Sequence, residues 1–150
     1  MKEDRKIFPQ LLLVEDNNAD ILLLEEAMAD IGVDIDLQVV HDGETAMAYL
    51  YHQPPFEGAG RPDLILLDLN VPRKSGFSVL ADIKQDEGLK QIPVIVLSTS
   101  SAVEDINRSY QMQANCFISK PSNLDQFIDI MCNIWSFWLQ TAKLPQKGPL

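Results

Sequence analysis

Short apolar runs alternate along this chain with longer stretches in which apolar residues recur at helical spacing. Five pairs of such segments follow one another between Gln10 and Lys143. Regular alternation of this kind is typical of βαβ units, in which a helix crosses over between two parallel strands. The pattern therefore predicts an α/β fold with a parallel sheet and helices on both of its faces.

The predicted strands end where a polar residue interrupts an apolar run. Strands are expected at residues 10–15, 36–41, 63–69, 93–97 and 116–119. The third is apolar almost throughout, as in a central strand that is covered on both faces. Helices are expected after the first strand as far as residue 31, after the capping residue Asp42, and at residues 76–86, 103–112 and 122–143.

The last predicted helix is longer than a sheet of this size needs. Ser122 and Asp125 have the spacing of a capping box at its start, and the helix would extend about 33 Å at about 1.5 Å per residue. A second apolar stripe on it would be exposed in a monomer, which predicts a homodimer interface. The residues of that interface are Ile130, Ile134, Phe137 and Trp138. The alternatives are a broad core-facing side and a tail that folds back from Leu144 and Pro145.

Length and charge narrow the class of protein. The 150 residues suffice for one domain, with residues 1–9 as an N-terminal extension, 10–143 as the domain and 144–150 as a C-terminal tail. A formal charge of −10 opposes binding to nucleic acids and to anionic membranes. No apolar stretch reaches the ~20 residues of a membrane span, and the chain does not start like a signal peptide. We therefore expect a cytoplasmic protein.

Polar side chains stand at the carboxyl ends of four predicted strands. Glu15 and Asp16 follow the first, Asp68 ends the third, Ser98 follows the fourth and Lys120 follows the fifth. Parallel strands with right-handed crossovers have all their carboxyl ends at one edge of the sheet, where open α/β folds bind ligands. We expect these five side chains to converge there.

The residue types indicate phosphoryl transfer at a cation site. Glu15, Asp16 and Asp68 would repel one another unless a cation intervenes, and carboxylates are ligands of Mg²⁺. Asp68 is the best candidate for a nucleophile that attacks phosphorus. Lys120 and Ser98 could then neutralise oxygens of the incoming phosphoryl group.

The ordered set Glu15-Asp16, Asp68-Leu69-Asn70 with Pro72 and Gly76, Ser98 and Lys120-Pro121 resembles the receiver domain of two-component response regulators. The resemblance implies a flavodoxin-like (βα)5 fold of strand order 2-1-3-4-5. It also implies that a phosphohistidine on a sensor histidine kinase phosphorylates Asp68. The implied ligands of Mg²⁺ (or Mn²⁺) are Asp16, Asp68 and the backbone carbonyl of Asn70, with Glu15 holding metal-bound waters.

The same resemblance implies a switch around the phosphorylation site. The Lys120–Pro121 peptide is expected to be cis, which only a proline in second place makes plausible. Ser98 would move to the phosphoryl group and the ring of Phe117 would turn inward. Asn70 and Ser100 stand where this family tunes the lifetime of the phosphate.

Two longer segments resemble a narrower group, the cyanobacterial phytochrome-associated response regulators, which consist of a single domain. They are RPDLILLDLNVPRKSG, which follows a loop that contains proline and glycine, and the ending FWLQTAKLP, with the shorter VLSTS between them. This resemblance implies a phytochrome-like histidine kinase as partner. The chain would then be a phospho-acceptor signalling protein, not an enzyme, that supports its own phosphoryl transfer and dephosphorylation.

Two other functions remain open. An aspartate-nucleophile phosphatase also uses an acidic Mg²⁺ site, but its nucleophile would follow the first strand with a second Asp two residues on, whereas Asn70 follows Asp68. A pseudo-receiver that is never phosphorylated would act only as an interaction scaffold. The intact set of site residues argues against a pseudo-receiver.

Overall fold

The computed structural model describes residues 8–146, and it contains one parallel sheet. The sheet has the order β2-β1-β3-β4-β5, with every neighbouring pair parallel. Its strands are β1 (Gln10–Val14), β2 (Asp36–Val40), β3 (Leu64–Leu67), β4 (Val94–Ser98) and β5 (Cys116–Ser119). The predicted flavodoxin-like order is confirmed.

Five α-helices connect and follow the strands. They are α1 (Asn18–Ile31), α2 (Gly43–Leu50), α3 (Gly76–Gln85), α4 (Val103–Gln111) and α5 (Leu124–Ile134), and a π-helical segment, Trp135–Thr141, continues α5. Asp42 caps α2 by accepting from the Thr45 N–H, as predicted. Asn17 caps α1 by accepting from the Asp20 N–H, which fixes the start of α1 next to the end of β1.

Alternate residues of the three central strands pack into two separate parts of the core. One face of the sheet buries Leu12, Val14, Ile65, Leu67, Val94 and Val96 beneath α2 and α3. The other face buries Leu11, Leu13, Leu64, Leu66, Ile95 and Leu97 beneath α1 and α5. Because all the strands run parallel, the polar residues at their carboxyl ends lie at one edge of this covered sheet.

β1, β2 and β3 end one or two residues earlier than predicted, whereas β4 extends one residue further and β5 ends where predicted. The backbone after β1 and β3 nevertheless stays paired. The Glu15 N–H donates to the Val40 oxygen at 3.0 Å, and the Asp68 N–H donates to the Val14 oxygen at 3.0 Å. These bonds continue the sheet by one residue beyond β1 and β3. Both carboxylates are therefore fixed by backbone pairing rather than carried on free loops.

The start of α5 differs from the predicted capping box. The cap is Asn123 rather than Ser122, and its side chain accepts from the Gln126 N–H at 3.0 Å. Gln126 reaches back in turn to the Ser122 N–H. An Asn is as good a capping residue as Ser, so the cap lies one residue later than predicted, while the returning bond still reaches the Ser122 N–H.

The prediction of an exposed stripe along the last helix is wrong at Ile134, which is only 2% exposed and belongs to the core. Ile130 and Trp138 are half-buried against the same core, whereas Phe137 is 55% exposed. Packing of α5 against α1 widens the buried side of the helix. The helix then continues as a π-helical segment, in which the Ala142 N–H donates to the Phe137 oxygen. Side chains in this segment no longer follow the α-helical spacing that the prediction assumed.

Residues 1–7 and 147–150, which include most of the predicted extension and tail, lie outside the described residues. Among residues 8–146, no helix combines the length and apolar character needed to cross a membrane.

Candidate functional site

Three carboxylates meet at the carboxyl edge of the sheet, as predicted. Glu15 and Asp16 directly follow β1, and Asp68 follows the neighbouring strand β3. One oxygen atom from each lies within 4.8 Å of the others. Glu15 and Asp68 are 2% and 5% exposed, whereas Asp16 is open to solvent. The cluster is thus buried at Glu15 and Asp68 and open to solvent at Asp16.

The ammonium group of Lys120 binds this cluster. Among residues 8–146, no other ammonium group does so. Its Nζ lies 2.6 Å from Glu15 Oε2, 3.0 Å from Asp20 Oδ2 and 3.3 Å from Asp68 Oδ2. The Lys120 N–H donates to the Ser98 oxygen at 2.7 Å, so pairing of β5 with β4 extends to the lysine and sets where its side chain starts. The side chain is 4% exposed. An ion pair this buried is screened little by salt.

Burial controls the protonation of the cluster. Loss of hydration raises the pKa of Glu15 to about 7, although hydrogen bonds from Lys120 and from the Asn17 N–H oppose this and the charge of Asp68 adds to it. Burial alone would lower the pKa of Lys120, but hydrogen bonds to Glu15 and Asp20 and the charge of Asp68 hold it above its usual range. The lysine therefore stays charged while several carboxylates share it.

The donor set fits a hard divalent cation. Glu15, Asp16 and Asp68 offer only oxygen ligands, and one ammonium does not neutralise three carboxylates. Mg²⁺ is commonly held by one or two carboxylates, waters and phosphate oxygens. The open side at Asp16 leaves room for such waters and for a phosphate.

Ser98 lies at the end of β4 and is completely buried. Its Oγ accepts from the Ser100 N–H at 3.2 Å. The Ser100 hydroxyl in turn donates to Asp105 Oδ2 at 2.6 Å, at the start of α4. The loop that carries the predicted hydroxyl is thus tied to the first turn of α4.

Asn70 borders the acidic cluster, whereas Phe117 lies in β5 opposite Val96 of β4. The Asn70 N–H donates to Asp68 Oδ1 at 3.2 Å, and the Asn70 side chain is exposed. Gly76 closes this loop against β3, because a Cβ at Gly76 would collide with the Asp68 carbonyl oxygen. Phe117 is half-buried against the core, and its N–H donates to the Tyr110 hydroxyl.

The expected cis peptide at Lys120–Pro121 is wrong for this structure. Among the described residues, the cis bond is Pro54–Pro55, in the loop after α2. The trans form is favoured before proline by about 0.5–1 kcal/mol. Lys120 reaches Glu15, Asp20 and Asp68 with the trans peptide, so these contacts do not require the cis form.

Sequence reasoning missed Asp20 and Asp105. Asp20 bonds Lys120, and Asp105 bonds Ser100. Both lie in the first turn of a helix that directly follows a site-bearing strand, α1 after β1 and α4 after β4. An acidic residue at such a place is usually explained by the helix dipole alone. The sequence spacing therefore does not predict that Asp20 and Asp105 take part in the site.

A family model for the response regulator receiver domain matches residues 11–131. The chain belongs to the response regulator receiver family. Its place in two-component signalling is thereby established. The predicted divalent cation is also confirmed for the family, and the acidic cluster is suited to hold it.

Receivers linked to phytochromes are among the similar proteins. Response regulator Rcp1 of Synechocystis is 46% identical over 135 residues, which cover 90% of this chain and 92% of Rcp1. The crystal structure of the phosphorylated cyanobacterial phytochrome response regulator RcpA is 51% identical with a TM-score of 0.88, covering 93% of this chain and 100% of RcpA. The Mn²⁺-bound form of Rcp1 is 45% identical with a TM-score of 0.85, covering 92% and 99%.

Proposed function

We propose that this receiver accepts a phosphoryl group on Asp68 from a sensor histidine kinase. The observation that supports it is the convergence of Lys120 with Glu15 and Asp68 at the carboxyl edge of the sheet. Asp68 is the central member, because β3 lies between β1 and β4. The phosphatase alternative would need a nucleophilic Asp after β1 with a second Asp two residues on, but Asn18 stands at that spacing from Asp16.

In the proposed reaction, an Asp68 carboxylate oxygen forms a bond to phosphorus while the bond from phosphorus to the kinase histidine nitrogen breaks. The electron pair of that bond stays on the imidazole. Asp16, Asp68 and the Asn70 carbonyl would hold Mg²⁺, with Glu15 on its waters, and the cation supplies charge neutralisation. Lys120 stabilises a second phosphoryl oxygen, and Ser98 donates to a third.

Phosphorylation would change the protein surface around the site, and this change would alter what the protein binds. To reach the phosphoryl group, Ser98 would move away from the Ser100 N–H, which in this structure donates to its Oγ. Such a movement would displace the loop before α4, and Phe117 of β5, which lies opposite Val96 of β4, would turn inward as Ser98 leaves. Asn70 and Ser100, the residues flanking this path, would set how long the phosphate persists and hence how fast the protein dephosphorylates itself.

A phytochrome-like histidine kinase is the proposed partner in the cytoplasm. The support comes from RcpA and Rcp1, since the former is described as a phytochrome response regulator. A further similar structure, RPA3017 of R. palustris, is described as acting in red light signalling, at 36% identity and a TM-score of 0.88.

The charge of −10 opposes direct binding to nucleic acid. We place the receiver within residues 10–143, flanked by the short terminal segments.

The deciding experiment is incubation of the full chain with Mg²⁺ and acetyl phosphate, followed by intact mass and by electrophoresis that retards phosphoproteins. We expect one phosphoryl group per chain, labile to acid and to hydroxylamine as an acyl phosphate is. A chain that binds Mg²⁺ but gains no phosphate would instead be a scaffold. Transfer from phytochrome-like and unrelated sensor kinases then tests the partner; if only an unrelated kinase transfers phosphate, the phytochrome assignment fails.

The Mg²⁺ affinity of the site is expected to fall about ten-fold from pH 8 to pH 6. Glu15, with a pKa raised to about 7, must lose its proton before it can hold metal-bound water. Because this pKa lies above the ordinary value of 4.5 for a glutamate, Glu15 favours the folded metal-free chain below pH 4.5, and that contribution is lost as the pH rises through 7. Calorimetric titration at both pH values measures the affinity. Glu15→Gln, which cannot titrate, should flatten the dependence, and an equally steep dependence in that variant would contradict the assignment.

A homodimer through the C-terminal helix is also proposed, centred on Phe137 rather than on the buried Ile134. Phe137 is 55% exposed and stacks edge-on against Trp138 at 5.5 Å between ring centroids. Exposed aromatic side chains of this kind often mark interfaces. Sedimentation should show a concentration-dependent dimer that Phe137→Ser weakens at least ten-fold, with the exposed Gln140→Ser as control. A monomer at all concentrations would exclude it.

A further inference from the structure

The ammonium of Lys120 has no donor to spare in the resting protein. A lysine ammonium has three N–H donors, and the three partners of Lys120 are Glu15, Asp20 and Asp68, at 2.6, 3.0 and 3.3 Å. Asp20 belongs to neither the cation cluster nor the proposed acceptor. Its role at this lysine therefore needs a separate explanation.

Phosphorylation of Asp68 changes what Lys120 must bind. A phosphoryl group brings three acceptor oxygens and a charge of about −1.5 to −2. For the ammonium to reach that group under the proposed function, at least one of its existing carboxylate partners has to be released. Glu15 and Asp20 are the two partners that the reaction itself does not modify.

Asp20 is the partner whose release costs less. Its side chain is 21% exposed, whereas that of Glu15 is 3% exposed, so water can replace the lysine at Asp20 but hardly at Glu15. Asp20 is also the third residue of α1, after the cap Asn17, whose side chain accepts from the Asp20 N–H. The positive end of the helix dipole therefore stabilises its carboxylate after the lysine has left.

We propose that Asp20 is a positioning residue for Lys120, which holds the ammonium in the resting receiver and releases it to the phosphoryl group on Asp68. The inference rests on the proposed function and adds a control element to the same site. Asp20 competes with the phosphoryl group for one cation. It thereby restrains phosphorylation by donors that lack a kinase to assist them.

The test compares the full-length wild type with Asp20→Asn and Asp20→Glu at saturating Mg²⁺, so that differences in cation affinity do not enter. With acetyl phosphate as donor, the bond from phosphorus to the acetate oxygen breaks and acetate leaves with the electron pair. The initial rate should rise about three- to ten-fold in Asp20→Asn, the scale of a partly exposed ion pair. Asp20→Glu keeps a carboxylate and should restore the wild-type rate.

The control variant is Glu25→Gln, which removes one negative charge from an exposed position about 7.5 Å further along α1. It should leave the rate unchanged, since long-range charge alone is not the proposed cause. An unchanged or lower rate in Asp20→Asn, or an equal rise in Glu25→Gln, would overturn the proposal. Melting curves verify that each variant is folded.

A second measurement does not depend on phosphorylation. Nuclear magnetic resonance of the Lys120 ammonium should show faster exchange of its hydrogens with water in Asp20→Asn than in the wild type, and unchanged exchange in Glu25→Gln. If exchange is the same in Asp20→Asn, Asp20 does not hold the lysine and the proposal fails. If the wild type takes up no phosphate, the proposed function fails, while the exchange measurement still decides whether Asp20 holds Lys120.

Discussion

Asp68→Asn is expected to reduce phosphate uptake from acetyl phosphate at least a hundred-fold, to the background of the assay. Asp68 is the acid at the end of the central strand β3, where it is 5% exposed and accepts from the Asn70 N–H and from Lys120. An amide nitrogen or oxygen does not replace a carboxylate oxygen as a nucleophile toward phosphorus.

The loss should not result from unfolding. Asparagine has nearly the shape of aspartate, and its side-chain oxygen can still accept from the Asn70 N–H. The substitution also removes one of the charges that crowd Glu15, so the free energy of unfolding without metal should stay the same or rise by about 1 kcal/mol. Thermal melts and far-ultraviolet circular dichroism measure this directly.

The matched control is Asp34→Asn, which makes the same chemical change at an exposed position before β2. It should accept phosphate at the wild-type rate. If Asp68→Asn were phosphorylated as fast as the wild type, the acceptor would have to be another residue. Asp16, the exposed member of the cluster, would then be the first candidate.

The sequence was sufficient for the sheet and for the convergence of Glu15, Asp68 and Lys120. Each of these residues follows a strand, and parallel strands with right-handed crossovers bring their ends to one edge whatever the helices do. A strand boundary that is wrong by one or two residues does not disturb this argument, because backbone pairing continues to Glu15 and Asp68.

Features that depend on helix phase and on local geometry were not predictable in this way. The contact of Asp20 with Lys120 requires the first turn of α1 to face the cluster, which the apolar spacing of α1 does not specify. Burial of Ile134 depends on how widely α5 packs against α1 and on the π-helical segment that follows, which has no signal in the apolar pattern. The Lys120–Pro121 peptide is a choice between two forms close in energy.

Lys120→Gln is expected to lower the free energy of unfolding in the absence of metal by about 3–5 kcal/mol, the usual cost of removing one partner from a buried ion pair. Glu15 and Asp68 would remain side by side with 3% and 7% of their side chains exposed and with no ammonium between them. The pKa of Glu15 is raised to about 7 even with the lysine present. The variant should therefore lose less stability at pH 6, where this carboxyl can take up a proton, than at pH 8.

Mg²⁺ should restore part of the stability of Lys120→Gln but not its reactivity. The cation can neutralise the carboxylates in place of the ammonium, yet a phosphoryl oxygen still lacks its partner, so phosphate uptake at saturating Mg²⁺ should stay at least ten-fold below the wild type. Lys74→Gln is the control, because the pair of Lys74 with Asp82 is 30% and 44% exposed and its loss should cost less than about 1 kcal/mol. Denaturant titrations with a chelator and with Mg²⁺ at both pH values measure these differences. If Lys120→Gln unfolded in the chelator at the same denaturant concentration as Lys74→Gln, the carboxylates would not depend on Lys120, and the electrostatic basis of the site would have to be revised.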